Sequence, residues 1–599
     1  MMYGTRGTRP PAKTLLSGLA IVLLLILLTA CGDKTAVQPL PTPTAPLLPF
    51  TVIDIGIPAQ ALNAPVTGSV PDSQILHVGI SFNLNSDTLN KLKNQAAKVG
   101  SNNDVTGSAN SLGITDQEYQ QMKTYFGIEG ATLTLGKLHT FLSIDAKAST
   151  FAKLFQTRFV MHKLNNRTFF TPDATMPPKL PTVIATQILS VTGLDNYSAP
   201  VTKGSAFFPH LPQVAQYTRH TNNTRTSADC TADSRTLSMQ QIAHAYGYDN
   251  YWRSGFHGEN MTINLVETDT FNSSDVAFYF SCYNVPQSHL QVFNIDGQPA
   301  SADGESNLDI DMIAGLAPGA QIRDYQTGSP SFNDVNVALQ QIVNDYASHV
   351  NTASVVSISL GAWEGQLTSG MLKTLNSSLL QLTQVEHMTV FVASGDCGAF
   401  VDQTYNSLSV SFPASDPYVV AVGGTEMTLD NRGYRTQETV WSNGSDRSQC
   451  NNFWGSGGGV STAFAKPSWQ QGSGVYNRYS TGKRQLPDIA AVALPIAVYV
   501  NGQWDMSGGT SAATPIWAAG MMLVNQALEK NTGGTFVYGP DLFYVVANNT
   551  GGKHPFFDVT QGNNLYYPAT RGWDNATGLG TPNLVDFGDV IYNLLQQQH

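Results

Sequence analysis

Three short stretches of this chain carry side chains that could do chemistry together. In Gly508-Gly509-Thr510-Ser511-Ala512-Ala513-Thr514-Pro515 a serine follows two glycines, which allow close backbone approach to a bound substrate. The small-residue run continues into Ile516-Trp517-Ala518-Ala519-Gly520 and reads as a buried helix. A serine at its N-terminus has local N–H dipoles to stabilise developing negative charge. On the local pattern alone the same serine is an N-cap, so its chemistry depends on a base. The nearest approach to the histidine turn of a Ser/His/Asp hydrolase is His257-Gly258-Glu259-Asn260, which precedes a strand (261–266) and not a helix. Glu305 and Asp309 offer a different base. They stand four apart in a helix expected over 301–316, so their carboxyls share a face. Two carboxyls sharing a proton make an acid–base device suited to low pH; the bland reading is a solvated acidic face near a helix N-terminus. A third carboxylate, Asp396 in Gly395-Asp396-Cys397-Gly398, directly follows the apolar run Met388–Ser394. It is either a turn residue or, in a dry cleft, a neutral acid that donates a hydrogen bond.

These residues require elements that bring them together. Leu308, Met312, Ile313 and Leu316 repeat at helical spacing, Asp303 is a candidate cap, and Pro318-Gly319 a stop. The run 388–394 reads as a buried parallel strand, and loops at the carboxyl ends of such strands are where open α/β sheets place their sites. Asp311 is a rival for the second acidic role, but two residues along the helix from Asp309 it faces elsewhere.

The serine run, the Glu305-x-x-x-Asp309 helix and the Gly-Asp-x-Gly loop occur in the order found in the sedolisins, the serine-carboxyl peptidases, and the chain resembles their kumamolisin branch most. Further runs carry the likeness: 412–425, Ser456-Gly457-Gly458-Gly459-Val460-Ser461, Pro467-Ser468-Trp469-Gln470 and Pro487-Asp488-Ile489-Ala490-Ala491. It covers nearly everything from about residue 235 onward. The resemblance implies an α/β fold: a subtilisin-like, doubly wound, mostly parallel sheet at 235–599, preceded by an α+β propeptide domain at 51–200. It also implies roles. Ser511 is the nucleophile, Glu305 the general base and then acid, Asp309 its orienting partner, and Asp396 a protonated oxyanion donor. A carboxylate base needs a pH above its reference value near 4, and a neutral aspartate a low pH or a raised pKa. Together they predict activity at roughly pH 3–5. The matching family site near the C-terminus holds one structural Ca²⁺. Here it corresponds to the side chains of Asp558 and Asp574 and the carbonyls of Val559, Thr570 and Gly572, in a connecting loop shorter than is usual and with Thr570 in place of a glycine. Oxygen ligands of this kind suit Ca²⁺, although by composition alone the segment reads as an Asx-rich turn.

The front of the chain reads as an export signal at 1–30: Arg6, Arg9 and Lys13 precede an apolar run from Leu15 to Leu28. The run ends in Leu28-Thr29-Ala30-Cys31-Gly32, a lipobox pattern in which Cys31 receives lipid; it is short for a membrane span of about 20 residues. Several acyl chains would hold the protein at the extracytoplasmic membrane surface. The Pro-rich stretch within 31–50 forms a semi-rigid stalk. Within 51–200, residues 74–82 read as a strand and 114–126 contain a helix with an acidic first turn. The likeness makes this domain an intramolecular inhibitor, with a standalone binding module as the alternative. Residues 201–234 are polar and aperiodic, an exposed linker suited to processing. Because the lipid lies on the propeptide side, cutting the linker is expected to release the catalytic domain.

Length suffices for a signal, a prodomain and one large core. A net charge of −11 with only 13% charged residues argues against nucleic-acid partners, leaving protein or peptide substrates. Beyond Cys31 stand Cys230, Cys282, Cys397 and Cys450, which allow two disulfides in three pairings; Cys397 is alternatively a free thiol. The reading is thus an exported, self-processing endopeptidase. The alternatives are a catalytically silent lipoprotein that binds peptides, a tripeptidyl-peptidase, and a histidine-based subtilase.

Overall fold

In the computed structural model, residues 49–597 are described apart from 96–104, 129, 165–166, 199–201, 204–229, 231–235, 403–406, 443–453 and 534–536. The export signal, Cys31, nearly all of the stalk and most of the 201–234 linker therefore lie outside the described residues. Among the described residues no helix is long and apolar enough to cross a membrane.

The N-terminal part is α+β. Its four-stranded antiparallel sheet contains β1 (Ile75–Phe82), β2 (Thr132–Leu135), β3 (Phe141–Lys147) and β4 (Ile188–Thr192) in the order β2-β3-β1-β4. The strand read at 74–82 is β1. The helix expected within 114–126 spans Asp116–Phe126, capped by Thr115 with Glu118 reaching back to the cap, a reciprocal pair that satisfies two end donors. Its buried Met122 and Phe126 pack with Phe151 and Phe155 in a core of its own. A two-residue strand, β5 (Thr202–Lys203), follows.

The larger part is built on an eight-stranded sheet. Its strands are β6 (Thr262–Glu267), β7 (Leu290–Ile295), β8 (Gln321–Thr327), β9 (Val355–Ile358), β11 (Thr389–Ala393), β13 (Val420–Leu429), β14 (Arg435–Val440) and β15 (Ile489–Leu494). They lie in the order β7-β8-β6-β9-β11-β13-β14, with β15 also beside β13, and only the β13–β14 pair is antiparallel. β9, β11 and most of β13 are buried throughout, as parallel strands covered on both faces must be. The doubly wound, mostly parallel sheet expected from the sequence is present. Short strands β10 (Leu360–Trp363) and β12 (Ser411–Phe412) form a separate ladder with β5.

The two parts are packed together through hydrogen bonds. Thr140 Oγ1 donates to Gln381 Oε1 at 2.6 Å, the Ser190 and Thr374 hydroxyls meet at 2.7 Å, and Thr192 Oγ1 donates to Asn333 Oδ1 at 3.0 Å. One disulfide joins Cys230 to Cys282, and Cys397 is also disulfide-bonded, which removes the free-thiol alternative. Cys450 lies outside the described residues.

Candidate active site

Two helices and one loop carry the site. Helix α3 (Glu305–Leu316) opens on Glu305 itself. Gly304, not Asp303, occupies the cap position; the Asp303 N–H instead donates to Asp269 Oδ2 at 3.0 Å. The glycine's left-handed backbone is favourable there, whereas aspartate would be strained. The long helix α6 (Thr510–Thr532) starts one residue before Ser511, so the serine sits inside the first turn and is not the N-cap, which is Gly509. The preceding Gly508 has a different use from the one its sequence invites. A Cβ there would stand 2.0 Å from the Ala493 carbonyl, so the close approach it permits is to strand β15. α3 and α6 pack against each other, so the helix that carries Glu305 and Asp309 lies against the helix that carries Ser511.

All four side chains singled out in the sequence are out of solvent: Ser511 is 0% exposed, Glu305 1%, Asp309 0% and Asp396 6%. Ser359 links two of them. Its hydroxyl donates to Asp309 Oδ2 at 2.6 Å, and its carbonyl accepts from Ser511 Oγ at 3.4 Å. Asp309 also hydrogen-bonds Glu267, the last residue of β6. Burial pushes Asp309 up to about 8 against the lowering effect of its Ser359 and Glu267 hydrogen bonds. Burial, followed by the charges of Asp309, Asp269, Asp324 and Glu305, holds Glu267 well above the usual carboxylate range. A carboxyl pair so placed shares a proton.

Asp396 follows β11 as expected. Its Oδ1 accepts from the Thr510 N–H at 2.8 Å and from Thr510 Oγ1 at 2.7 Å, while Oδ2 is buried without a partner. Burial raises this carboxyl to about 7, opposed by the two Thr510 bonds. It is therefore neutral in acid, with one oxygen available to carry a proton toward a ligand.

Asp311 does face elsewhere, accepting from the Tyr499 N–H at 3.1 Å. No histidine hydrogen-bonds Ser511 among the described residues; His257 is paired with Glu259 at 3.3 Å. Glu267 and Ser359 were not found by sequence reasoning. Glu267 closes an apolar strand and had no local signature; the one available signal was a charged residue at the carboxyl end of a parallel strand.

β5 pairs antiparallel with β10, Thr202 opposite Gly361 and Lys203 opposite Leu360. β10 begins one residue after Ser359, so the end of the N-terminal part runs beside the serine turn.

A chain with this sheet and this site has relatives. Residues 297–555 match the model of the subtilase family. Kumamolisin of Bacillus sp. (strain MN-32) is 30% identical over 424 residues, covering 67% of this chain and 70% of its own. The chain belongs to the sedolisin family. It is also 28% identical over 486 residues to sedolisin of Pseudomonas sp. (strain 101), covering 75% of this chain and 74% of that one. The solved Pseudomonas sedolisin, a serine-carboxyl proteinase complexed with two molecules of pseudo-iodotyrostatin, superposes with a TM-score of 0.52 at 28% identity, over 61% of this chain and 99% of that one. The chain is accordingly a serine-type, serine-carboxyl peptidase.

Among the described residues no cluster of three or more His, Cys, Asp or Glu stands ready for a metal, so a calcium site would have to be built largely from carbonyls. The residues named for it offer the hard oxygen donors that Ca²⁺ takes. Asp558 Oδ2 accepts from the Gly572 N–H at 2.9 Å and Asp574 Oδ2 from the Thr570 N–H at 2.7 Å, so both carboxylates close on one turn. The carbonyls of Val559, Thr570 and Gly572 accept no hydrogen bond among the described residues, whereas Asp574 Oδ1 accepts from the Ala576 and Thr577 N–H groups and the Thr577 hydroxyl. Burial raises both aspartates, Asp574 to about 6, and a bound divalent cation would favour their charged forms.

Proposed function

We propose that this sedolisin is an exported endopeptidase, made latent by its N-terminal domain, that cleaves peptide bonds in acid. Ser511 Oγ attacks the scissile carbonyl and its proton passes to a Glu305 carboxylate oriented through Asp309. The tetrahedral oxyanion accepts a hydrogen bond from neutral Asp396. Glu305 then returns the proton to the departing amine, and water, deprotonated by the same carboxyl, releases the acyl group from Ser511. The observation that carries this reading is the double donation of Thr510 to one oxygen of Asp396. It leaves the other oxygen as a neutral donor next to the serine turn.

The pairing of β5 with β10 supports propeptide inhibition, because it occupies backbone that a substrate strand would need. The 201–234 linker is the proposed site of self-processing. Cys31 is the proposed lipid anchor, at the extracytoplasmic membrane surface, and cutting the linker would free the catalytic part. Asp558, Asp574 and the carbonyls of Val559, Thr570 and Gly572 would hold one Ca²⁺, which clamps the C-terminal loops and takes no part in the proton transfers.

The test is intact mass over time for residues 32–599, wild type and Ser511→Ala, shifted from neutral pH to pH 4. Only the wild type should cut itself between residues 200 and 235 and then digest a denatured protein into internal fragments. Release of tripeptides alone would replace the endopeptidase reading with a tripeptidyl-peptidase. Two inert forms from pH 3 to 8 would leave a silent peptide-binding protein.

A further inference from the structure

We infer that Asp324 is a positioning residue of the acid–base machinery: acting through Glu267 and Asp309, it extends the Glu305–Asp309 pair into a longer buried carboxyl array and sets how far up the pH scale that array keeps its shared proton. The inference rests on the reading of Glu305 and Asp309 given above and deepens it.

Asp324 is the fourth residue of β8. In the parallel register Leu265 lies beside Asp324 and Glu267 beside Gln326. With side chains alternating along a strand, Asp324 and Gln326 share a sheet face with Leu265 and Glu267. Leu265 packs in the core with Leu308 and Met312, so this is the face that α3 covers. An aspartate in the middle of a parallel strand, 0% exposed, is costly where an apolar residue would serve the fold. Its Oδ2 accepts from Gln326 Nε2 at 2.7 Å, and its Oδ1 is buried with no donor. Protonation is what satisfies an oxygen so placed.

The charges that act on Glu267 are all acidic. From β6 and the residues just after it come Glu267 and Asp269, and from α3 come Glu305 and Asp309. On the other neighbouring strand, Val292 lies beside Asp324 and Asn294 beside Gln326, both uncharged. Arg323 belongs to the opposite face, where it pairs with Asp345 at 2.8 Å. Burial, partly offset by Gln326, places Asp324 at about 7, with the Asp269 charge adding to the rise. The Asp324 charge in turn raises both Glu267 and Asp309.

The consequence is one-sided. At pH 4 Asp324 is neutral and does not oppose the first ionisation, which creates the base. Near neutrality its ionisation competes with the second proton loss from the array and delays it. Replacing it with a neutral residue removes that opposition, so the array loses its second proton at lower pH.

The test is kcat/KM from pH 3 to 9 on a peptide substrate for the self-activated wild type, Asp324→Asn and Asp324→Leu. Both variants should move the alkaline limb toward acid by about one unit while the acid limb stays. Asp324→Leu suits an apolar face and carries the test if the amide variant does not fold. A fixed alkaline limb, or a loss of equal size at every pH, overturns the inference, since a residue that only packs moves no limb. Ser511→Ala separates the two levels of argument. If it is inactive and the limb does not move, the role of Asp324 alone fails; if it remains active, the active-site reading fails and this inference falls with it.

Discussion

Thr510 gives both of its donors to a single oxygen of Asp396, its N–H at 2.8 Å and its hydroxyl at 2.7 Å, and leaves the second oxygen bare. This fixes which oxygen carries the proton. It also makes asparagine a good mimic, because Oδ1 accepts the same two bonds and Nδ2 replaces the protonated oxygen.

Asp396→Ala should therefore lose about 10²–10³-fold in kcat at pH 4, the usual cost of an oxyanion donor, and Asp396→Asn distinctly less. Asp396 is raised to about 7, so the acid donor is present below that pH and lost as pH rises through it. An amide does not titrate. Log kcat/KM of the wild type should fall with a two-proton slope above neutrality and that of Asp396→Asn with a one-proton slope. Equal slopes would take Asp396 out of the oxyanion role.

Ser511→Ala, Glu305→Gln and Asp309→Asn should each reduce kcat by at least about 10⁴-fold, and the double variants by little more, because the residues act as a unit. Ser359→Ala keeps the carbonyl beside Ser511 but removes the 2.6 Å donor to Asp309. A loss of about tenfold in kcat with KM unchanged is expected from one such hydrogen bond. A change confined to KM would place Ser359 in substrate binding instead.

Stability should favour acid. Asp309, Asp324, Asp396 and Asp416 all have folded values raised chiefly by burial. Their contribution is complete below the unfolded value near 4 and is lost as pH rises through about 7 to 8, at about 1.4 kcal/mol per pH unit for each proton released. Thermal melting of Ser511→Ala in chelator, from pH 4 to 8, should show Tm falling. A Tm that rises over that range would mean these carboxyls are ionised and paired in the folded chain.

Calcium should act in the opposite direction. At pH 7, Ca²⁺ at 100 times its Kd is expected to stabilise by about 2.7 kcal/mol, and Asp574→Ala should abolish the effect. Protection should fade as pH falls through about 6, where Asp574 takes up its proton. A Tm insensitive to Ca²⁺ at neutral pH would rule out the site.

Thr140→Val removes the donor to buried Gln381 Oε1 across the contact between the N-terminal and the larger part. Leaving that oxygen unsatisfied costs about 1–3 kcal/mol, so activity after the acid shift should appear with a lag shortened by about tenfold. An unchanged lag would show that separation of the propeptide does not limit activation.

The nucleophile turn, the acidic helix and the Gly-Asp loop were legible because each is local: its chemistry and its backbone requirements lie within a few consecutive residues. The strands read at 74–82, 261–266 and 388–394 were legible from apolar runs, and the structure places them at Ile75–Phe82, Thr262–Glu267 and Thr389–Ala393. Glu267, Ser359 and Asp324 were not legible. Each acts through strand register or helix packing across long sequence separations: Glu267 closes an apolar strand, Ser359 follows one, and Asp324 stands mid-strand between Arg323 and Tyr325. Gly508 was legible as a close approach but not as to its partner, which is the Ala493 carbonyl and depends on how β15 meets α6.

The Cys230–Cys282 bridge gives the position of the activating cut a second meaning. Cleavage on the N-terminal side of Cys230 would yield two chains with no Cys230–Cys282 link between them, held by non-covalent contacts. Cleavage on its C-terminal side yields a two-chain molecule whose light chain stays stapled to helix 273–283. Such an enzyme would remain leashed to whatever its N-terminus is fastened to until a reductant arrives, and a few residues' difference in where the chain is cut decides between a diffusing peptidase and a fixed one.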